Sequence, residues 1–561
     1  MADRARVWGV QRTYVGYRGD TVEAPAEGVE AIVEAMAAGR DTPPEDAPGQ
    51  GDGAGAAQCW AAPERAWGWA VQLYAARSRE SWGIGDLADL RRLGRWAKGA
   101  GASVLLISPL GAQPPTLPQQ PCPYYSSSRR FRNLLHLRIE EVDGAERCVD
   151  QIAPLRESGL ALNRNRTIDY DAVFGLKLQA LELIFQARPD PPGLASWVKG
   201  QGRALRSFAT FNALAEIHGA AWRTWPNPLR HPRGDGIGRV QRELAPRITF
   251  HEWIQFHIHQ QLARAAREID LISDVPVGFA SDGFDSWRWQ DLVAVGMRVG
   301  APPDYFFRDG QDWGMPPFDP WKLRASSFEP FVDAIRGATA HARGVRLDHV
   351  MSLFRLFWIP EGLTPSGGAY VTYPSAPLLD ILASESRRAK AFVIGEDLGI
   401  VEPSVRTAMR KRGALGYRLL WFDEKQPEEW PRESVAAIST HDLPTVAGIW
   451  RRTEPDQRQH HLRARLVEAT GMRDDAQALD VAVAIYQRLA RSPSRIVLAT
   501  LEDALAVEER PNIPGTTSEW PNWRISLPSP LEEIETTDGA RRIADAMSQA
   551  GRSPLPSPAP N

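Results

Sequence analysis

The chain reads as an α/β protein closed into a (β/α)8 barrel, and two observations predict it. Eight short apolar runs of strand length lie between residues 69 and 503, and helical patterns such as DLADLRRLGRWAKGAG separate most of them. Continuous apolar runs alternating with helices mark a parallel sheet buried on both faces, and eight such strands close naturally into a TIM barrel. The runs are WAVQLYAA (69–76), VLLISPL (104–110), LISDVPVGF (271–279), GVRLDH (344–349), AFVIGED (391–397), YRLLWFD (417–423), VAAISTHD (435–442) and RIVLATLED (495–503). The sixth is the least regular, since its Arg and polar end suit a loop equally well.

Other segments frame this barrel. Residues 1–40 hold an extended stretch, TYVGYRGDTVEAP, then an amphipathic helix, GVEAIVEAMAAG, and read as a small N-terminal module. Residues 41–57, rich in Pro, Gly and acid, cannot bury enough apolar surface to order themselves and read as a flexible linker. The catalytic barrel then spans 58–540. Residues 111–270 exceed any ordinary crossover and carry their own helical patterns, so a large helical subdomain is inserted between strands 2 and 3. Residues 541–561, ending in SPLPSPAPN, read as a disordered tail.

Composition narrows the partners. A net charge of −3 with no long Lys/Arg run argues against nucleic acid and against an anionic membrane surface. No apolar run approaches the length of a spanning helix, and the N-terminus has no secretory pattern. Cys59, Cys122 and Cys148 form neither a disulfide framework nor a zinc pattern, which points to the cytoplasm. The 20 Trp outnumber the 18 Phe and 11 Tyr, so indoles serve either as sugar platforms or as core filling.

Three strand ends carry the chemistry. GVRLDH ends in Asp348-His349 behind Arg346, AFVIGED ends in Glu396-Asp397, and VAAISTHD ends in His441-Asp442. In a parallel barrel the C-terminal strand ends converge, so Asp348, Glu396 and Asp442 meet at one mouth. Cleavage of a glycosidic bond with retention needs a nucleophilic carboxylate and a protonated carboxylic acid about 5–5.5 Å apart. Arg346 and Asp348 share a strand face, and the guanidinium favours an ionised Asp348. Glu396 needs the opposite, a dry site that keeps it protonated. A lone acid at a strand end usually caps a helix or meets solvent; three with these neighbours do not fit that pattern. No His-x-His or HExxH spacing supports a metal site.

The chain resembles the 4-α-glucanotransferases known as amylomaltases or disproportionating enzymes, from about residue 67 to 527 with a looser echo at 7–40. The motifs that carry the resemblance, in family order, include SRESWGIGDLADL (78–90), CPYYSSSRRFRN (122–133), SDVPVGFASDGFDSW (273–287), GAPPDYFFRDGQDWG (300–314), GVRLDHVMSLFRLFWIPEG (344–362), IGEDLG (394–399), STHDLPTVAGIW (439–450) and NIPGTTSEWPNW (512–523). The resemblance implies retaining transfer of α-1,4-glucan segments by double displacement. Asp348 is then the nucleophile, Glu396 the general acid/base and Asp442 the transition-state stabiliser. It also implies that Arg346, His349 and His441 grip the sugar and that Tyr124 is an aromatic platform. Asp274, Asp304, Gln311 and Trp313 become sugar contacts on a mobile loop. Malto-oligosaccharides, longer α-glucans and acceptor glucose are the implied partners, with no metal or organic cofactor. Cys122 stands where the family usually has Ser, Ser352 where Gly is common, and 111–121 is unusually rich in Pro and Gln. A retaining α-glucan hydrolase would use the same carboxylates, and a non-catalytic glycan-binding barrel would have lost at least one of them.

Overall fold

A computed structural model describes residues 2–44, 57–304, 307–455 and 459–552. All eight predicted strands are present: β1 (Ala66–Val71), β2 (Val104–Ile107), β3 (Asp270–Val275), β4 (Gly344–Leu347), β5 (Phe392–Gly395), β6 (Leu415–Leu419), β7 (Ser434–Ala437) and β8 (Ile496–Thr500). They pair in parallel and in sequence order, and β8 returns to β1 to close the barrel. Every residue of β2, β4, β5 and β7 is buried, as a sheet covered on both faces requires. The irregular sixth run is a strand shifted toward the N-terminus, with Leu415 and Leu419 buried.

Helices Leu87–Gly99, Glu329–Thr339, Ser375–Ala389, Pro403–Lys411, Ala478–Arg491 and Asp538–Gln549 follow β1, β3, β4, β5, β7 and β8. The insertion after β2 carries helices Val149–Ala161, Tyr170–Ala187, Leu194–His218 and Ala245–Ala265. The last of these leads directly into β3 and so takes the place of the missing crossover helix. Between β6 and β7 only a short 3-10 turn, Pro427–Glu429, appears among the described residues.

One of the quoted motifs is structural. In SRESWGIGDLADL, Asp86 and Asp89 form a capping box at the start of helix Leu87–Gly99. The same two acids bind Arg138 of the insertion at 2.6 and 2.8 Å. A buried guanidinium is stable only with its anions in place, so this triad anchors the insertion to the first βα unit. Tryptophan answers to packing as well. Trp8, Trp67, Trp69, Trp82, Trp225, Trp253, Trp287, Trp358 and Trp430 are all fully buried, and the excess of indole is mainly core.

The N-terminal residues do not form a core of their own. Trp8, Val10, Ile32, Val33 and Met36 share one apolar cluster with Val345, Trp358 and Val371. Strand Val10–Gln11 pairs with Ala369–Thr372 at the edge of a five-stranded antiparallel sheet built from the β3–β4 and β4–β5 connections. Gly28 lets the N-terminal helix approach this sheet, because a Cβ there would lie 1.8 Å from the Gly367 carbonyl oxygen. Of the expected linker, residues 45–56 lie outside the described residues.

The expected tail needs correction. Residues 541–549 belong to helix Asp538–Gln549, whose Ile543 and Met547 are fully buried. Its apolar residues recur at i and i+4, a helical signal masked by the Ser/Pro-rich stretch at the C-terminus. Arg552 is buried too, and donates to the carbonyls of Ala66, Ala490, Ser492, Ser494 and Arg495 at 2.8–3.4 Å. Residues 553–561 lie outside the described residues. No helix among the described residues is long and apolar enough to cross a membrane.

Arg552→Ala is expected to lower unfolding free energy by about 2–4 kcal/mol, because five buried carbonyls lose a charged donor. A urea midpoint equal to that of the wild type would refute this role.

Candidate active site

The three predicted carboxylates meet at the C-terminal mouth of the barrel. Asp348 follows β4, and its N–H donates to the Val275 carbonyl at the end of β3 at 3.0 Å. Glu396 follows β5 and is tied to β4 in both directions. Its N–H donates to the Leu347 carbonyl and its own carbonyl accepts from Val350 N–H, each at 3.0 Å. Its carboxylate accepts from His349 N–H at 2.9 Å and Leu398 N–H at 2.7 Å. His349 holds φ 45°, a left-handed conformation that costs a non-glycine residue about 1 kcal/mol. In that conformation its N–H meets Glu396 while its side chain stays on the mouth.

Arg346 links the carboxylates. Its Nη1 donates to both oxygens of Asp274 at 2.7 and 2.8 Å and lies 3.0 Å from Asp348 Oδ1. The guanidinium stands 5.8 Å above the Tyr417 ring. Arg346 and Asp274 are paired directly across β4 and β3, so strand register creates this contact. The placement corrects one expectation: Asp274 belongs to strand β3, buried inside the barrel, and not to a mobile loop.

Asp442 has a different setting. Burial would raise it, but His441 and a hydrogen bond from Asn512 outweigh burial and hold it below the usual carboxylate range. His441 Nε2 lies 3.3 Å from Asp442 Oδ2, and Asn512 Nδ2 donates to Oδ1 at 2.6 Å. The same pairing raises His441 against the opposing effect of burial. Asp348 goes the other way. Burial pushes it up to about 6, despite the opposing pull of Arg346, and the charges of Asp274 and Glu396 add to the rise. Glu396 is also raised, first by burial.

The other predicted residues divide into two groups. Tyr124 donates its hydroxyl to Asp274 Oδ2 at 2.6 Å and stacks on His441, with ring centroids 4.7 Å apart. Trp313 meets His349 edge-on at 5.3 Å and donates to Gln311 Oε1 at 3.3 Å, so these three line one wall. Asp304 instead holds the turn of its own loop: its carboxylate accepts from Phe307 N–H at 2.6 Å. Burial pushes the Cys122 thiol up to about 12, which leaves it protonated and unreactive. Residues to which the sequence patterns assigned no individual role complete the site, although Asn512 and Trp523 stand at the two ends of the quoted motif NIPGTTSEWPNW. Trp523 packs its ring 5.5 Å from Tyr124 and 5.2 Å from His441, while Asn512 and Arg510 hold Asp442. Beside them lies a small cavity of about 50 Å³ whose wall includes Gln72, Asp274, Arg346, His441, Thr500 and Glu502.

A (β/α)8 barrel with buried carboxylates, one arginine and two histidines at its mouth defines an enzyme acting on glycosidic bonds. The chain belongs to the 4-alpha-glucanotransferase family, whose sequence model matches residues 71–531. It is 37% identical over 555 residues to a 4-alpha-glucanotransferase of Mycobacterium tuberculosis, covering 88% of this chain and 76% of that one. Identity to the Haemophilus influenzae 4-alpha-glucanotransferase is 31% over 559 residues, with 87% and 79% covered. The amylomaltase structure from Corynebacterium glutamicum superposes with a TM-score of 0.83 at 24% identity, over 97% of this chain and 99% of that one. An amylomaltase from Streptococcus agalactiae, solved in complex with acarbose, gives 0.74 at 17% identity, over 87% and 100% of the two chains. The fold is therefore that of an amylomaltase. The protein is a glycosyltransferase acting on α-1,4-glucans, and transfer is favoured over hydrolysis or a non-catalytic role.

The raised Asp348 has a consequence for stability. A carboxyl with a higher pKa in the folded than in the unfolded state destabilises the fold once ionised, and the cost vanishes below the unfolded value. Asp348→Asn is therefore expected to be more stable than the wild type by about 1–3 kcal/mol at pH 8. The gain should fade as pH drops from 6 to 4. Calorimetric melting at pH 8 and pH 4 checks this, and a constant difference would refute it.

Proposed function

We propose that Asp348 attacks the anomeric carbon of a bound α-glucan while Glu396 protonates the departing glycosidic oxygen. The covalent β-glucosyl ester at Asp348 is then opened by the 4-hydroxyl of an acceptor glucan or glucose, whose proton passes to Glu396. Each displacement inverts the anomeric centre, so α configuration is retained. The observation that carries this reading is the unequal surround of the two raised carboxyls. Arg346 touches Asp348 at 3.0 Å and favours its ionised form as the nucleophile, while burial favours the protonated form of Glu396, the acid in this reading.

Asp442, held ionised by His441 and Asn512, is the anion that stabilises positive charge as the ring flattens toward an oxocarbenium ion. Tyr124, with Trp523 behind it, forms the aromatic wall beside the reacting sugar. Arg346, His349 and His441 are in place for its hydroxyls, and Asp274 orients Arg346 and Tyr124. Gln311 and Trp313 serve neighbouring sugars, and Asp304 shapes its own loop. Malto-oligosaccharides and longer glucans are the donors, and glucose is an acceptor. A cytoplasmic location belongs to the same proposal, supported by three free cysteines.

Incubation with maltotriose tests the assignment. A ladder of longer oligosaccharides together with free glucose is expected, whereas reducing-end release without elongation would overturn it. Asp348→Asn should lose at least about 10³-fold in turnover while still binding maltotriose. Near-native activity in that variant would remove Asp348 from the role of nucleophile.

A further inference from the structure

The barrel has a second gap, on its outer surface and away from the mouth. Each of the other connections between barrel strands supplies a helix, but among the described residues β6 and β7 are joined by only the 3-10 turn Pro427–Glu429. Strand β6 shows the consequence. Tyr417 faces inward under Arg346, so Gly416 and Arg418 face outward, and both are only half-buried. In β5 and β7, on either side, every residue is buried. The uncovered space is a cavity of about 140 Å³, walled by Gly416, Arg418, Asp397 and Glu433 together with Arg406 and Arg410 of helix Pro403–Lys411. One water needs only about 10–15 Å³ of such space, so there is room for a tetrahedral oxyanion.

The charges around this gap are unevenly matched. Asp397 is well supplied with donors: its carboxylate accepts from Tyr417 N–H at 2.6 Å, Arg406 Nε at 3.0 Å and Arg418 Nη1 at 3.1 Å. Asp423 meets Arg418 Nε at 3.5 Å, and Glu433 faces Arg432 and Arg495 at 3.7 and 3.9 Å. Arg410 has no carboxylate partner among the described residues, and its side chain reaches only the Thr407 hydroxyl at 3.5 Å. The end of its own helix does not occupy it either. The carbonyls of Met409 and Arg410 accept from the N–H groups of Arg412, Ala414 and Gly413. A guanidinium offers five N–H donors in a rigid fork that matches phosphate oxygens, and three guanidinium groups line this one gap.

We propose that the gap beside β6 is a binding site for a phosphate group, either the free ion or the ester of a phosphorylated sugar. Arg410 supplies the charge that lacks a partner, and Arg406 and Arg418 supply donors that Asp397 does not use. A dianion with several oxygens engages all three forks, which chloride cannot do. The site lies on the opposite face of β6 from Tyr417 and Arg346, so filling it leaves the mouth of the barrel open.

Calorimetric titration of the full chain with inorganic phosphate, at an ionic strength held constant with chloride, tests the assignment. Glucose 6-phosphate is the second titrant. Saturable binding in the millimolar range or tighter is expected. Tighter binding of the ester assigns the site to a phosphorylated sugar, and equal or weaker binding assigns it to the free ion. Arg410→Gln is expected to weaken the binding at least about fivefold. Its melting temperature should match the wild type, because Arg410 has no ion pair to lose. Arg406→Lys, which keeps the charge and removes the fork, should weaken binding as well. No saturable heat with either titrant, or wild-type affinity in Arg410→Gln, would overturn the proposal. No glucan enters the titration, so its outcome is judged apart from the transfer reaction.

Discussion

The buried guanidinium of Arg346 is the charge on which the whole site depends. A cation taken out of water is tolerated only when anions and hydrogen-bond acceptors surround it. Asp274 satisfies it from the neighbouring strand, and the contact left over falls on Asp348. One cation thus holds two carboxylates, and a β3–β4 register one residue out would turn Arg346 away from Asp274. Barrel closure and active-site chemistry are the same event here. The Tyr124 hydroxyl reaches the other side of Asp274 and ties the long insertion into this arrangement.

Three acids of one chemical type are driven to different states by what lies around them. Asp442 gains a histidine and an amide and is held down. Glu396 gains two backbone N–H groups, but burial dominates and lifts it. Asp348 is lifted as well, with Arg346 opposing the rise. Separating the states of neighbouring carboxyls is how one site supplies both an acid and a nucleophile at one pH. The backbone takes part, since the left-handed His349 directs its N–H to Glu396.

Much of this was legible in the amino-acid sequence, for a definite reason. Strands buried on both faces must be continuously apolar, so runs such as AFVIG stand out, and the acids that end them stand out in turn. Asp348, Glu396 and Asp442 were found that way. Asn512, Arg510 and Trp523 were not, because they lie in an irregular segment after β8 and reach Asp442 and Tyr124 only through the closed barrel. Asp274 lies in the third apolar run, but the resemblance assigned it to a mobile loop, and its contact with Arg346 depends on the β3–β4 pairing, which no local pattern records. The helix that begins at Asp538 was hidden by the Ser/Pro-rich composition of the chain's last residues. Pattern reading finds what is periodic, and it misses side chains that matter through a partner far away in the chain.

Arg552 sits where the first and last strands of the barrel meet, its five acceptors drawn from the start of β1 and the segment leading into β8. During synthesis β1 emerges almost 500 residues before that clasp does. Until β8 pairs with β1 the seam is an open sheet edge, the kind of surface on which nascent chains pair wrongly with one another. Termination between Asp442 and β8 would therefore release a chain with its three carboxylates present and its barrel open. Quality control in the cell would meet such a chain as an aggregation hazard before it met it as an inactive enzyme.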